Sequence, residues 1–471
     1  MGDVFGRSFV YGKELIIAIV GIILLISLPN HMPGPTKNKF WYLFGMRVLM
    51  GIGIGGDYPM SAAIVAERTK LANRGKMLGW IFSNQGWGNL LGSIVTLILL
   101  VIFSGSLSNG HYGPLDAVWR LQFGLIMVPC FIVLYFRLTM PESKKFMQSG
   151  ELNAMNDSSA SSSVTTLALP DHPISAKEAA QITVEQRIEQ ADPQAGRWTA
   201  FRSYFSEWRH AKHLIGTAST WFLVDIAFYG INLNQSVLLA AIGFSKGRNE
   251  YHTLLINTYG NLIIAAAGYV PGYFFTIAFI DIIGRKPIQI GGFILTALMF
   301  GIIAGDYGNN KKGPEHTGIS TGGKFACFTL AQFFFNFGPN ATTFIVPGEL
   351  YPSRVRGLAH GMSAAIGKLG AILSGVLFNW LSARIGVPKV LWIFFGTDLL
   401  GAIMTFFFVP ETKGLDADAV DYEETMAKLA ARGEVPATGN GGYSAGAHDY
   451  AQGGYANSTG SLDKTFGKVD V

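Results

Sequence analysis

A carboxylate lies inside one of the most apolar stretches of the sequence. Asp57 follows the run Gly51-Ile-Gly-Ile-Gly-Gly, within an apolar segment that extends from Phe40 to Glu67. That segment is long enough to cross a bilayer, where a charged side chain costs about 2.5–3.5 kcal/mol on insertion scales. The glycines beside Asp57 allow a neighbouring helix, water or a ligand to approach closely. We expect Asp57 to belong to a functional site, and the alternative is a polar contact with a neighbouring helix.

A second acid lies among aromatic residues with helical spacing. Trp221, Asp225 and Tyr229 occupy positions i, i+4 and i+8, so a helix places them on one face. A carboxylate flanked by hydrogen-bonding aromatic groups suits a cavity that holds a protonatable ligand. The alternative is an aromatic packing stripe with one isolated acid, but the mid-span position of Asp225 favours function.

A single lysine lies deep in an apolar segment near the C-terminal end of the membrane region. Lys368 follows Ala365-Ile-Gly, and a buried ammonium requires an anion nearby. The predicted anion is Asp57, Asp225 or a negatively charged substrate. The alternative is a static structural ion pair.

Two amides, Gln85 and Asn340, complete the set of candidate ligands. Asn336 and Asn340 flank Gly338-Pro339, which breaks a predicted span. The backbone groups that such a break frees are tolerated only where they face a cavity or other protein. Gln85 adds an amide that can donate to an oxyanion, although such a residue by itself more often joins two helices.

Other charged residues lie near the ends of predicted spans. They are interpreted as gating ion pairs or anchors rather than substrate ligands: Arg47, Glu67, Asp281, Arg285 and Glu349. Asp398, in the last predicted span, has no obvious partner and receives no role. The sequence contains no Ser/His/Asp set, no metal-ligand spacing of His and no phosphate-cradling loop. We therefore expect no enzyme activity, no metal and no cofactor.

The composition requires a membrane to position these residues. Of the 471 residues, 49% are hydrophobic and only 14% are charged, against about 25% charged in soluble domains. The net charge of +5 comes without a basic, aromatic-rich run, so nucleic-acid binding is not expected. We predict an all-α polytopic protein whose ten spans are residues 11–29, 40–66, 77–103, 117–137, 213–243, 254–280, 287–304, 325–347, 359–382 and 388–409.

Two polar regions divide and end this membrane region. The predicted organisation is a first half at 1–147, a partly disordered loop at 148–211, a second half at 212–409 and a largely disordered tail at 410–471. A short amphipathic helix is predicted near 176–190 within the loop. Basic residues near span ends place both termini and the loop in the cytoplasm.

Three motifs recur in order and predict two homologous halves. Asp3-x-x-Gly-Arg recurs from Asp281, Glu67-x7-Gly recurs from Glu349, and the Pro141-Glu-Ser motif recurs as Pro-Glu-Thr after the last span. Such repeats are a usual construction of transporters. The second half has two spans ahead of its Asp-x-x-Gly-Arg loop and the first has none. We expect a 4 + 6 arrangement that begins inside its first repeat, two helices short of 6 + 6.

These loop motifs are similar to those of the major facilitator superfamily. More narrowly, Gly-Gly-Asp57-Tyr58-Pro, Trp221-x3-Asp225-x3-Tyr229, Phe-Asn-Phe-Gly-Pro-Asn340 and Lys368 resemble the proton-coupled inorganic phosphate transporters of fungi and plants, and the fungal high-affinity type most closely. The Gln-Gln pair of sugar porters is absent. The similarity covers essentially the whole membrane region.

The resemblance implies proton-coupled phosphate uptake by alternating access at the plasma membrane, with phosphate, protons and lipid as partners. It implies that Asp57 lies on the proton route. It assigns phosphate binding to Tyr58, Gln85, Trp221, Asp225, Tyr229, Asn340 and Lys368. Another aspartate, on a first helix of the family, has no counterpart in this sequence.

Two other functions stay open at this point. A phosphate sensor that does not transport fits intact binding residues with lost coupling, and a truncated gene model fits the two absent helices. A transporter of another solute, such as a glycerophosphodiester or a metal–phosphate complex, fits a closely related pocket.

Overall fold

The computed structural model describes residues 12–29, 37–139, 197–244, 247–306 and 318–431. All regular secondary structure in these ranges is helical. Eight of the helices are long and apolar enough to cross a membrane. The prediction of an all-α polytopic membrane protein is therefore confirmed.

The first group of helices covers the four spans predicted before the long loop. It consists of α1 (Lys13–Ile26), α2 (Lys37–Arg68), α3 (Arg74–Ile102), a short α4 (Ser104–Ser108) and α5 (Leu115–Leu138). With 14 residues, α1 is shorter than the roughly 17–25 residues of a full span. It packs against α2 with its glycines in close contact, since a side chain at Gly53 would collide with the α1 backbone.

The second group covers the six spans predicted after the loop. It consists of α7 (Trp208–Asn232), α8 (Gln235–Ala241), α9 (Glu250–Ile283), α10 (Arg285–Asp306), α11 (Thr321–Asn336), α12 (Pro339–Leu350), α13 (Ser353–Ile385) and α14 (Val387–Phe408). Its interior holds most of the largest buried cluster of apolar side chains, in which Phe228, Phe300 and Phe335 meet edge to face or tilted. This dense core fixes the helices that carry the candidate ligands.

Two of the predicted spans have different bounds in the structure. The span predicted at 213–243 ends at Asn232, and a turn separates it from α8. Asn234 donates its side-chain amide to the carbonyl of Gly230 at 3.0 Å, the kind of local bond by which asparagine competes with helix formation. The span predicted at 325–347 is two helices, as the Gly338-Pro339 break indicates. A side chain at Gly338 would collide with the backbone of Phe334 and of Gly292.

A seam of close contacts joins the first group to the second along α3 and α9. A Cβ at Gly86 would lie 2.8 Å from the Tyr273 ring, and one at Gly79 would lie 3.1 Å from Ile277. Near its middle α9 contains a π-helical turn, Ala265–Tyr269. This turn precedes Pro271, whose missing N–H interrupts the regular ladder. The seam brings side chains of α3 into the candidate site.

The polar segments are more ordered near the membrane than the composition predicted. Within the predicted loop at 148–211, α6 (Arg197–Phe205) precedes α7, while the helix predicted near 176–190 lies outside the described residues. Residues 417–431, in the tail predicted to be largely disordered, instead form α15 (Ala417–Ala431). Strong helix formers such as Ala, Glu, Met and Leu dominate this segment. Its acids also dock on the start of α13, where Asp421 binds Arg354 through two contacts of 2.7 Å.

Candidate functional site

The lysine of α13 meets the carboxylate of α7. The Lys368 ammonium lies 3.0 Å from Oδ2 of Asp225 and donates to the Tyr229 hydroxyl at 2.8 Å. The same ammonium stands 4.3 Å from the centre of the Tyr229 ring, within range of a cation–π contact. The Asp225 side chain is 1% exposed and the Lys368 side chain 40%. Of the anions predicted for Lys368, the structure therefore selects Asp225.

Trp221 lies one helical turn before Asp225 and forms an apolar wall. It is buried and packs edge-on against the rings of Phe344 and His360, with centroids 6.5 and 5.6 Å away. Close approach of α13 depends on Gly367, since a Cβ there would lie 2.6 Å from the indole. The predicted helical face of Trp221, Asp225 and Tyr229 is thus packed against α12 and α13.

A second cluster joins amides from the two groups of helices. Asn340, at the start of α12, donates its amide to Gln85 Oε1 at 3.0 Å, to the Tyr273 hydroxyl at 2.8 Å and to Asn336 Oδ1 at 2.8 Å. The Tyr273 hydroxyl donates to Gln85 Oε1 at 2.5 Å. The helix break at Gly338-Pro339 lets Asn336 and Asn340 contact each other while each keeps its own helix. Gln85 and Asn340, both predicted, are therefore neighbours.

These two clusters have complementary chemistry. The first supplies a cation and a carboxylate, and the second supplies amide and phenol groups that both donate and accept. A charge-assisted hydrogen bond from an ammonium is shorter and roughly twice as strong as a neutral one. Such a set suits a small anion that itself carries hydroxyl donors.

Asp57 belongs to a separate charged cluster. Arg137 of α5 holds both of its carboxylate oxygens, at 2.7 and 3.2 Å, and Ser61 donates to the nearer one at 2.9 Å. Arg137 also lies 3.1 Å from Oε1 of Glu14, a buried acid of α1. Two carboxylates thus share one guanidinium. Tyr58 follows Asp57 in α2, but its side chain lies outside the described residues.

The residues predicted to gate cluster at one end of the bundle. Arg285 binds Glu349 through two hydrogen bonds of 2.9 and 2.7 Å and contacts Asp281 at 2.9 Å. The Thr412 hydroxyl donates to Glu349 at 2.7 Å. A side chain at Gly75, in α3, would collide with the Arg285 guanidinium, so this network lies against the first group.

The two remaining gate candidates differ from that pattern. Arg47 lies over the ring of Phe123 at 5.7 Å, a cation–π contact within the first group. The side chain of Glu67 lies outside the described residues. The role predicted for these two residues thus stays a prediction.

Sequence reasoning assigned no site role to three residues that the geometry brings forward. Tyr273 and Glu14 were read as parts of apolar spans, and Asn336 only as part of a helix break. For Tyr273 the available signal was its spacing, four residues after Tyr269 in α9. Tyr273 contacts Gln85 of α3 whereas Tyr269 contacts Asn232 of α7, and this difference depends on helix register, which a single sequence does not specify.

Comparison with known proteins identifies the relatives of the chain. The family model described as "Sugar (and other) transporter" matches residues 1–423. The chain is 50% identical over 446 residues to a Schizosaccharomyces pombe protein that its name assigns provisionally to the inorganic phosphate transporters, covering 90% of this chain and 76% of that protein. It is 39% identical over 438 residues to the inorganic phosphate transporter PHO84 of Saccharomyces cerevisiae, covering 88% and 72%. It is 38% identical over 435 residues to the repressible high-affinity phosphate permease of Neurospora crassa, covering 87% and 73%.

The fold of the chain is similar to that of solved transporter structures. The proton:xylose symporter XylE bound to 6-bromo-6-deoxy-D-glucose superposes with a TM-score of 0.65 at 18% identity, covering 90% of this chain and 84% of that one. At 18% identity this similarity shows the fold alone. The chain belongs to the sugar (and other) transporter family, and within it to the group that contains the fungal and plant inorganic phosphate transporters.

Proposed function

We propose that this chain is a secondary active transporter that takes up inorganic phosphate together with protons. The observation that carries the proposal is the contact between Lys368 and Asp225, and the amide cluster on Asn340 supplies further hydrogen-bonding groups. The proposal is also supported by the sequence similarity of the chain to proteins named as phosphate transporters.

The pair suits dihydrogen phosphate because this ion both accepts and donates hydrogen bonds. In the proposed complex Lys368 donates to one phosphate oxygen, and the carbonyl oxygen of the Asp225 carboxyl group accepts from a phosphate hydroxyl. Tyr229, Trp221, Gln85 and Asn340 are proposed to hold the remaining oxygens and hydroxyls, and Tyr58 to join them from α2. Because Lys368 already has an anionic partner, phosphate has to compete with Asp225 for the ammonium.

Protons are proposed to enter through the charged cluster of the first group. Protonation of Asp57 would remove one of the two negative charges that Arg137 now holds and would loosen the contact of α2 with α5. Protonation of Asp225 would in turn free Lys368 for phosphate. Neutralised sites of this kind let the two halves rock past an occluded substrate.

The network on Arg285 is proposed to be the gate at the cytoplasmic end. Its ion pairs with Glu349 and Asp281 lie against Gly75 of the first group, so opening that end has to separate α3 from this network. The proposed location is the plasma membrane, with both termini and the long loop in the cytoplasm.

The proposal is tested by labelled-phosphate uptake in yeast that lacks its own phosphate transporters. We expect the 471-residue chain to support uptake that is faster at acid than at neutral external pH, and Asp225→Asn to abolish it. Excess unlabelled phosphate should compete, and excess glycerophosphodiester should not. Uptake that a glycerophosphodiester suppresses as well as phosphate would assign the pocket to another solute, and absence of uptake despite membrane insertion would refute transport.

A further inference from the structure

A polar cavity lies between α3, α7, α8 and α9, apart from the Lys368–Asp225 pair. Its volume is about 260 Å³, whereas one water accounts for about 30 Å³ of liquid. Its polar lining includes Asn89, Ser93, Asn232, Ser236, Asn261 and Tyr269. The space is sufficient for a tetrahedral oxyanion with part of its hydration shell.

The α3 wall of the cavity continues directly from the amide cluster. Gln85, Asn89 and Ser93 follow one another at intervals of four residues, so they lie on one face of α3. Asn89 donates to the carbonyl of Gln85 at 2.9 Å, and Ser93 donates to the carbonyl of Asn89 at 2.8 Å. A polar path on one helix face therefore leads from Gln85 to the cavity.

The opposite wall holds polar atoms without partners. Asn232 accepts hydrogen bonds from Tyr269 and, at 2.9 Å, from Gln332. Its own Nδ2 is buried and has no hydrogen-bond partner among the described residues, and the same holds for Oδ1 of Asn261. Burying such a group without a hydrogen-bond partner is unfavourable, so its presence calls for a reason. The π-helical turn that ends at Tyr269 lies in this wall, and such turns are frequent at functional sites.

The lining has a specific chemical character. The described residues that line the cavity are amides, hydroxyls and one leucine, and none of them is Asp, Glu, Lys, Arg or His. Amides and hydroxyls both donate and accept, so they match an ion that carries oxygens and hydroxyls together. Without a cation in the described lining, transfer of a dianion from water is much more costly than transfer of a monoanion.

We propose that this cavity is a second, outer phosphate site that captures the dihydrogen form before it reaches Lys368. This inference rests on the proposed function, because it takes phosphate as the substrate and places the cavity on the side away from the cytoplasm. Asn232 lies three residues beyond Tyr229 toward that side of α7, so the two sites are about one helical turn apart along this helix.

The test compares two asparagines of α9 in labelled-phosphate uptake by the full chain. Asn261 lines the cavity, whereas Asn257, one turn earlier, also has a buried Oδ1 without a described partner but does not line it. We expect Asn261→Leu to lower kcat/KM for phosphate about 2- to 12-fold, the range for one neutral hydrogen bond, and to leave kcat unchanged. Asn257→Leu should match the wild-type chain. Ser236→Ala, a milder change at an exposed position of the lining, should also lower kcat/KM. This variant tests the cavity even if Asn261→Leu misfolds.

The possible outcomes separate the two proposals. If the wild-type chain and Asn257→Leu transport phosphate and both cavity variants do so with unchanged kcat/KM, the outer site is refuted while the proposed function stands. If Asn257→Leu loses as much kcat/KM as Asn261→Leu, the effect belongs to helix packing and the outer site is again refuted. If the wild-type chain takes up no phosphate, both proposals fail together.

Discussion

The two members of the Lys368–Asp225 pair differ in their access to water. The Asp225 side chain is 1% exposed and the Lys368 side chain 40%, although their charged atoms lie only 3.0 Å apart. Removing Lys368 therefore leaves a fully buried carboxylate, whereas removing Asp225 leaves an ammonium that is partly exposed to water. This difference predicts unequal losses of stability for the two single substitutions.

Lys368→Met keeps most of the apolar stem and removes the charge. It leaves the Asp225 carboxylate buried without its cation, and breaking a buried pair in this way costs about 3–5 kcal/mol. That range is an upper bound, because the carboxyl group can take up a proton instead. Asp225→Asn leaves the Lys368 ammonium bound to the Tyr229 hydroxyl and ring and in reach of water. Partly exposed pairs contribute about 0–1 kcal/mol, so we expect a small loss.

The measurement is the thermal unfolding midpoint of the purified chain in detergent, followed by tryptophan fluorescence. We expect Lys368→Met to lower the midpoint clearly more than Asp225→Asn does. The double variant should be more stable than Lys368→Met alone, because no buried charge remains without a partner. Equal losses for the two single variants, or a double variant that loses the sum of both, would show that the unequal burial does not control the pair.

Three further predictions concern other parts of the bundle. Gly86→Leu should abolish uptake and lower membrane abundance, because the new side chain would collide with the Tyr273 ring of α9. Gly88→Ala, whose side chain would face open space, should change neither. Normal uptake by Gly86→Leu would contradict the close contact between α3 and α9. Asp398 is fully buried, and neither of its carboxyl oxygens has a hydrogen-bond partner in the described ranges. The neutral variant Asp398→Asn should therefore keep the wild-type abundance, measured by fluorescence-detected size-exclusion chromatography. Aggregation of this variant would indicate that the charge is required. Arg354→Ala and Asp421→Ala should each destabilise the chain by about 1 kcal/mol or less, with non-additive effects in the double variant; strict additivity would mean that the contact contributes nothing.

The spans and the main ion pair were predictable because their signals are local. Apolar length alone placed all ten predicted spans on helices, and the Gly338-Pro339 break was visible in the sequence. Lys368 required an anion by electrostatics, which reduced its candidate partners to two aspartates or a substrate. Only the packing of α7 against α13 selects Asp225 over Asp57.

The rest depends on contacts between distant segments. Arg137 looked like one of several basic residues near span ends, yet it holds Asp57 and Glu14 from two other helices. Tyr273 meets Gln85 only because Gly86 lets α3 and α9 approach closely. The composition of the whole tail concealed α15, whose helix formers are followed by a long segment rich in glycine and serine.

Phosphate accumulation driven by a proton gradient alone tests the proposed function most directly. The purified chain would be placed in vesicles with equal phosphate on both sides and a more acidic exterior, and labelled phosphate inside would be followed over time. We expect accumulation above the external concentration, abolished by a protonophore and by Asp225→Asn. Phosphate that only equilibrates across the membrane, or accumulation that Asp225→Asn leaves unchanged, would contradict proton-coupled transport through the Lys368–Asp225 site.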